Sequence, residues 1–176
     1  MKRWYKGNLH SHTTNSDGVW TPEQSAKNYR DAGYSFLCFS DHDLYTDYRR
    51  ELGKKNFLIL PGVEATAVLF DDEGNTVRLH HMNGILGTES MQKGALESTF
   101  SHMEKVEPDI YYGTDWDGNK TGKKLAERLK NHGCIVTYNH PIWSRVRPED
   151  LSIFRISICW RFLIITPLMS VVRGMM

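Results

Sequence analysis

Eight histidines stand out in this chain, and most of them fall where a short apolar run ends. The first cluster is Asn8-Leu9-His10-Ser11-His12, with Asp17 close behind. Two histidines one residue apart on a strand share a face, because side chains alternate with a period of two. Two neutral imidazoles on one face can hold a single metal ion. Taken alone, the pair reads equally well as ligands or as exposed polar residues at a strand end. Next comes Ser40-Asp41-His42-Asp43, where an apolar run stops abruptly in acid, histidine, acid. The carboxyl end of a buried strand is where α/β folds put their sites. Glu64 follows another apolar run, in Pro61-Gly62-Val63-Glu64. Its two oxygens can bridge two ions, although by itself it reads as a solvated glutamate. In His80-His81, alternation puts His81 with Val77 and Leu79, hence inward, and His80 with Thr76 and Arg78, hence in solvent or behind a ligand. The fifth cluster is Asn139-His140-Pro141, where proline blocks continuation of a strand. His102 and His132 fall on expected helices and read as surface residues.

Five strand ends delivering His, Asp or Glu in one short chain are hard to explain as solvated surface. Mixed nitrogen and oxygen ligation favours zinc, manganese or iron over an all-oxygen calcium cage. No cysteine stands in a C-x-x-C arrangement, so a structural zinc ribbon is unsupported.

The elements that must position these groups alternate short apolar runs with helix-compatible ones, an α/β pattern. Trp4 to Leu9 reads as a first strand. Thr21-Pro22-Glu23-Gln24 is a helix start with a capping-box spacing, running to Ala32 and stopping at Gly33. Ser35 to Ser40 and Phe57 to Leu60 read as strands buried on both faces. Ala67 to Phe70 and Thr76 to Met82 flank a turn-forming cluster at 71–75, which predicts a hairpin. Glu89 to Val106 reads as mostly helical, with Gly94 as an interruption. Asp115 to Lys120 reads as a loop, Thr121 to His132 as a helix, and Cys134 to Tyr138 as a strand.

At 176 residues, with 22 Lys+Arg against 21 Asp+Glu and a formal charge of +1, the chain is expected to be one domain. That balance argues against a nucleic-acid binder relying on bulk electrostatics. Three widely separated cysteines suit a reducing cytosol, so a cytoplasmic location is expected. The pattern breaks after Asp150. Residues 151–176 contain no Asp or Glu, show neither helical nor strand periodicity, and carry Pro167 in an uncharged stretch too short to span a bilayer. This tail is expected to be an out-of-frame continuation, and no membrane partner is expected.

Taken in order, Asn8-Leu9-His10-Ser11-His12 with Asp17, Ser40-Asp41-His42-Asp43, Gly62-Val63-Glu64, His81 and Asn139-His140-Pro141 resemble the motifs of the PHP (polymerase and histidinol phosphatase) superfamily. His81-Met82-Asn83-Gly84 and the run from Asn139 to Arg145 most resemble its CehA/McbA-like metallohydrolase branch. The match covers about Trp4 to Asp150. It implies an α/β fold, a distorted (β/α)7 barrel of PHP type, incomplete at the C-terminus, with residues 1–150 as the N-terminal two-thirds of the domain. The resemblance also implies up to three divalent ions, zinc, manganese or iron. His10 and His12 would hold the first, and Glu64 would bridge to the second. His81 and His140 would complete the second, and Asp17 and His42 would bind the third. Asp41 and Asp43 would orient His42 and nearby ligands. A late Asp-x-His motif belongs to the same pattern, and no Asp or His follows Asp150. The implied reaction is hydrolysis of a small phosphorylated substrate by a metal-activated hydroxide. Arg145 would neutralise charge on the phosphoryl oxygens, and His42 or a metal-bound water would protonate the leaving oxygen. Carboxylic or carbamate esters are the alternative substrates, and an inactive truncated fragment is the alternative reading of the chain.

Overall fold

The computed structural model describes residues 4–147, 149 and 150, together with the backbone of Cys159–Trp160. The remainder of the tail expected to be out of frame lies outside the described residues. Three short parallel strands, β1 (Gly7–Asn8), β2 (Phe36–Cys38) and β4 (Leu58–Leu60), form one sheet in the order β1-β2-β4. A five-stranded sheet is built on two long strands, β5 (Gly62–Phe70) and β6 (Thr76–Leu86), flanked by β8 (Asp109–Tyr112) on one side. On the other side stand β9 (Cys134–Tyr138) and then β10 (Cys159–Trp160). A third, two-stranded sheet pairs β3 (Leu44–Tyr45) with β7 (Glu104–Lys105). Four α-helices are described: α1 (Pro22–Asp31), α2 (Arg49–Leu52), α3 (Glu89–Lys93) and α4 (Gly118–Asn131).

This mixed α/β arrangement overturns the expected (β/α)7 barrel. Among the described residues no sheet closes on itself, and the helices are too few to follow each strand. The reason lies in the connections. Parallel neighbours need a crossover of a dozen or more residues, whereas antiparallel ones can be joined by a tight turn. Here β4 runs into β5 through Pro61 alone, and β5 returns as β6 through the turn at 71–75. The pair β5–β6 is consequently antiparallel, and β9, reached through a long connection, also pairs antiparallel with β6.

Several local expectations hold because their causes are local. Helix α1 carries both halves of its capping box, Thr21 Oγ1 accepting from Gln24 N and Gln24 Oε1 from Thr21 N. Just past its end Gly33 takes a φ of +77°, a conformation glycine adopts freely. Strand β9 has the expected bounds. Strand β1 is shorter than Trp4 to Leu9, and β4 is not buried on both faces, since Leu58 is 59% exposed. Two helical and loop expectations also fail. The helix predicted for Glu89 to Val106 ends at Lys93, where Gly94 caps it and none of its residues is buried to hold it in place. The loop predicted for Asp115 to Lys120 holds a 3-10 turn at Gly113–Asp115 and the first turn of α4, which begins early because the Asp117 carboxylate accepts from Lys120 N.

The larger core lies between the five-stranded sheet and α4. Leu125, Ala126 and Leu129 pack with Val63, Ala65, Ala67, Met82 and Val136. Gly84 permits this approach, since a Cβ there would meet Leu129 Cδ2 at 2.8 Å. A second core unites Ala26 of α1 with Leu37, Phe39, Phe57 and Ile59. His80 belongs to the α4 side of the sheet and is 0% exposed, so the expectation of solvent for it is wrong. Alternation separated the two histidines correctly, but both faces of β6 are covered. His80 Nδ1 bonds Tyr138 Oη at 2.6 Å, its Nε2 bonds the Gly118 carbonyl at 2.8 Å, and its ring stacks on Trp116.

Burial pushes the His80 pKa down to about 4, only partly opposed by the Gly118 carbonyl. An unfolded histidine titrates near 6.5. Between these values the unfolded chain binds the extra proton, so this contribution to stability is full above pH 6.5 and is lost as pH falls toward 4. It amounts to on the order of 3 kcal/mol. The stability advantage of the wild type over His80→Gln, followed by urea unfolding, should therefore shrink between pH 7 and pH 4.5. A pH-independent difference would contradict this account.

Candidate metal centre

Strand register assembles one side of the site. In the β5–β6 pair Glu64 stands opposite Asn83 and Thr66 opposite His81. Directly opposed residues share a face, so Glu64, His81 and Asn83 emerge together, away from α4. Asn139 follows from β9, its N–H donating to the His81 carbonyl at 3.0 Å. The small sheet supplies the rest: His10 and His12 lie just beyond β1, and Asp41 and His42 beyond β2. A bridge between His42 and Glu64 ties that edge to β5.

Glu64 is the centre of the cluster. It is 0% exposed, against the solvated glutamate it suggests in isolation. Its Oε1 lies 3.0 Å from His140 Nε2, 3.6 Å from His10 Nε2 and 3.6 Å from His81 Nδ1. Its Oε2 lies 3.1 Å from His12 Nε2 and 3.4 Å from His42 Nδ1. At the outer edge Asp17 joins through His12 Nδ1, 2.9 Å from Oδ1, and His42 Nε2, 3.7 Å from Oδ2. Of the seven expected ligands, His10, His12, His42, His81 and His140 are thus gathered around Glu64, and Asp17 joins through His12 and His42. Arg145 is not among them. Its guanidinium donates to the Thr76 carbonyl at 3.2 Å, at the far end of β6.

Ligand atoms of His10, Glu64 and His140 form one group close enough to hold an ion, and those of His12, His42 and Glu64 form another. This grouping pairs His10 with His140, whereas the resemblance pairs it with His12. The residues fit a metal on independent grounds. Glu64 Oε2 and His81 Nδ1 are buried and have only loose contacts with neighbouring ring nitrogens or the carboxylate in place of a well-formed hydrogen bond. Leaving such atoms unpaired costs on the order of 1–3 kcal/mol each, which ligation removes. His140 and Asp43 also hold positive φ values, 21° and 52°, an uncommon state for residues other than glycine.

The surrounding amides and hydroxyls orient the imidazoles. Asn83 Nδ2 donates to the Leu9 carbonyl, so its Oδ1 faces His10 Nδ1 at 3.1 Å. That acceptor puts the His10 proton on Nδ1 and leaves the Nε2 lone pair facing Glu64. Asn139 Nδ2 donates to Glu64 Oε1 at 2.6 Å and to Asn83 Oδ1 at 2.7 Å. Ser40 Oγ lies 2.9 Å from His10 Nδ1. Asn83, Asn139 and Ser40 stand inside the quoted motifs, but their roles depend on contacts across three strands. Asp41 and Asp43 brace backbone around the site. The Asp41 carboxylate accepts from Thr13 N and Ser16 Oγ, holding the loop that carries His12 and Asp17. Asp43 Oδ1 accepts from Thr66 N.

Charge and burial compete here. Burial alone would push the Glu64 carboxyl up. Hydrogen bonds from His12 and His140, helped by the nearby rings of His10 and His81, outweigh it and hold the group well below the usual carboxylate range. Burial pulls His12 down as well, but Glu64 and Asp17 overcome this and raise it above 6.5. For His81 burial wins and lowers the pKa to about 3, which keeps the ring in its neutral, ligating form.

Comparison with protein-family models and with curated proteins finds no match. The metal-binding assignment therefore stands on donor chemistry: five imidazoles and a shared, buried carboxylate form two groups that could each hold a metal ion. Among the described residues no helix is long and apolar enough to cross a membrane. An open cavity of about 710 Å³ beside the start of α4, lined by Tyr111, Trp116, Lys120 and Arg147 among others, shares no residue with this centre.

Proposed function

We propose that the chain is a metal-dependent hydrolase acting on phosphoesters of small molecules, of the kind its PHP-like motifs imply. The observation that carries this reading is the division of Glu64, one oxygen toward His10, His81 and His140 and the other toward His12 and His42. A shared carboxylate of this kind suits two ions held close together. Adjacent ions supply an acidified water as nucleophile and neutralise charge on a transferring phosphoryl group.

The chain's own residues do the rest. Glu64, ionised and buried, fixes the spacing of the two groups, and Asn139 and Asn83 hold it and His10 in orientation. His81 stays neutral through burial and keeps its lone pair for a ligand. His42 stands partly exposed at the rim with its Nδ1 toward Glu64, so it serves as a ligand and leaves protonation of the leaving oxygen to water. Arg145 has no part in this proposal, because its guanidinium is committed to Thr76. The few, widely spaced cysteines support a cytoplasmic setting.

Protein loaded with Mn²⁺ should hydrolyse p-nitrophenyl phosphate, lose that activity to a chelator, and regain it when the metal is restored. His140→Ala should lower the rate at least about 100-fold, the scale set by loss of ligands and their supports. Metal-loaded protein that leaves the phosphate ester intact while cleaving p-nitrophenyl acetate would replace this reading with a carboxylic-ester one.

A further inference from the structure

Beside the polar centre stands an exposed apolar surface. Trp143 is 66% exposed and Ile142 is 77% exposed, three and two residues beyond His140. The indole is nonetheless ordered against the site. Its ring centroid lies 5.2 Å from that of His140, edge-on at 84°, and 5.7 Å from that of His81, tilted at 36°. Ser144 anchors the segment from the other side: it is buried, its carbonyl accepts from Leu79 N at 3.2 Å, and its hydroxyl lies 3.3 Å from His140 Nδ1.

A phosphoryl group has no use for such a surface. Apolar side chains held open beside a few convergent polar groups are the usual make-up of a small-molecule site. We infer that Trp143 is a specificity-determining platform for a flat apolar part of the substrate, so that the preferred substrates are aryl rather than small alkyl phosphoesters. This rests on the phosphoester reading above and names the substrate class for the same site. An aryl group attached through the ester oxygen would lie against the indole while its phosphoryl group reaches the histidines. Ring stacking favours such a partner by several-fold beyond the area it buries.

The test uses the full chain loaded with Mn²⁺ and two non-hydrolysable probes, phenylphosphonate and methylphosphonate, with dissociation constants measured by calorimetry. Wild-type protein should bind phenylphosphonate about tenfold more tightly than methylphosphonate. Trp143→Ala should reduce that preference to within about twofold while methylphosphonate and Mn²⁺ affinities stay unchanged, and Trp143→Phe should keep most of it. A preference unaltered in Trp143→Ala overturns the platform and leaves the phosphoester reading standing. Loss of Mn²⁺ binding in Trp143→Ala overturns it too, since the indole would then be supporting His140 and His81. Binding of neither phosphonate by the metal-loaded protein overturns the phosphoester reading, and the platform with it.

Discussion

Glu64→Gln should abolish tight binding of Mn²⁺ or Zn²⁺. The carboxylate is the one group shared by both sets of ligand atoms, so its removal affects both at once. An amide keeps the volume and the acceptor for Asn139 but loses the charge and one of two acceptor oxygens. Substituting residues that merely orient ligands commonly costs 10–100-fold in affinity, so loss of the central group should exceed about 100-fold. Calorimetry with each metal, and elemental analysis after dialysis, measure this directly. A second readout needs no metal. Because Glu64 is the chief cause holding the His12 pKa up against burial, the His12 titration followed by NMR should move to lower pH in the variant. Unchanged metal stoichiometry and affinity in Glu64→Gln would rule out the shared-carboxylate centre.

Asp41→Ala should destabilise the fold by on the order of 3–5 kcal/mol, the scale for stranding the partners of a buried charged group. Asp41 is fully buried, and its carboxylate accepts from Thr13 N at 2.6 Å, from Thr13 Oγ1 and from Ser16 Oγ. Its backbone carbonyl accepts from Glu64 N at 3.1 Å. Three donors in the loop bearing His12 and Asp17 would lose their acceptor together. Asp41→Asn keeps one oxygen and should cost less. Urea unfolding of the metal-free chain gives both magnitudes. Metal affinity in Asp41→Asn should fall less than in Glu64→Gln, because the ligands remain and only their loop is loosened. A fully stable Asp41→Ala would show that the carboxylate does not organise that loop.

The seven expected ligands were legible because each stands in a short motif, and pairing between strands brings them together. His10 and His12 follow one strand, His42 another, and His140 precedes a proline that ends a third. Asn83 and Asn139 stood in the same motifs without a visible task. Asn83 is fixed by the Leu9 carbonyl, 74 residues away in sequence, and Asn139 by Glu64, 75 residues away. Arg145, chosen for its nearness to His140 along the chain, turns instead to Thr76. Beyond a strand end, nearness in sequence says little about direction, and the backbone of Arg145 adopts a φ of 56°. The barrel expectation failed for a related reason. Apolar runs identify strands but not their partners, and the direct passages from β4 to β5 and from β5 to β6 commit those strands to another topology.

The eight histidines show the same division. Their types and spacing alone determined that a cluster of nitrogen and oxygen donors would gather at strand ends, and alternation alone separated His80 from His81. Tertiary structure decided the rest. It covered both faces of β6, turning His80 into a core residue stacked on Trp116, and it set Glu64 opposite Asn83 so that five imidazoles share its two oxygens. Local rules act through backbone geometry and capping within a few residues. Which face is buried, and which donor meets which acceptor, depends on pairings between distant segments, whose energies exist only once the sheets have formed.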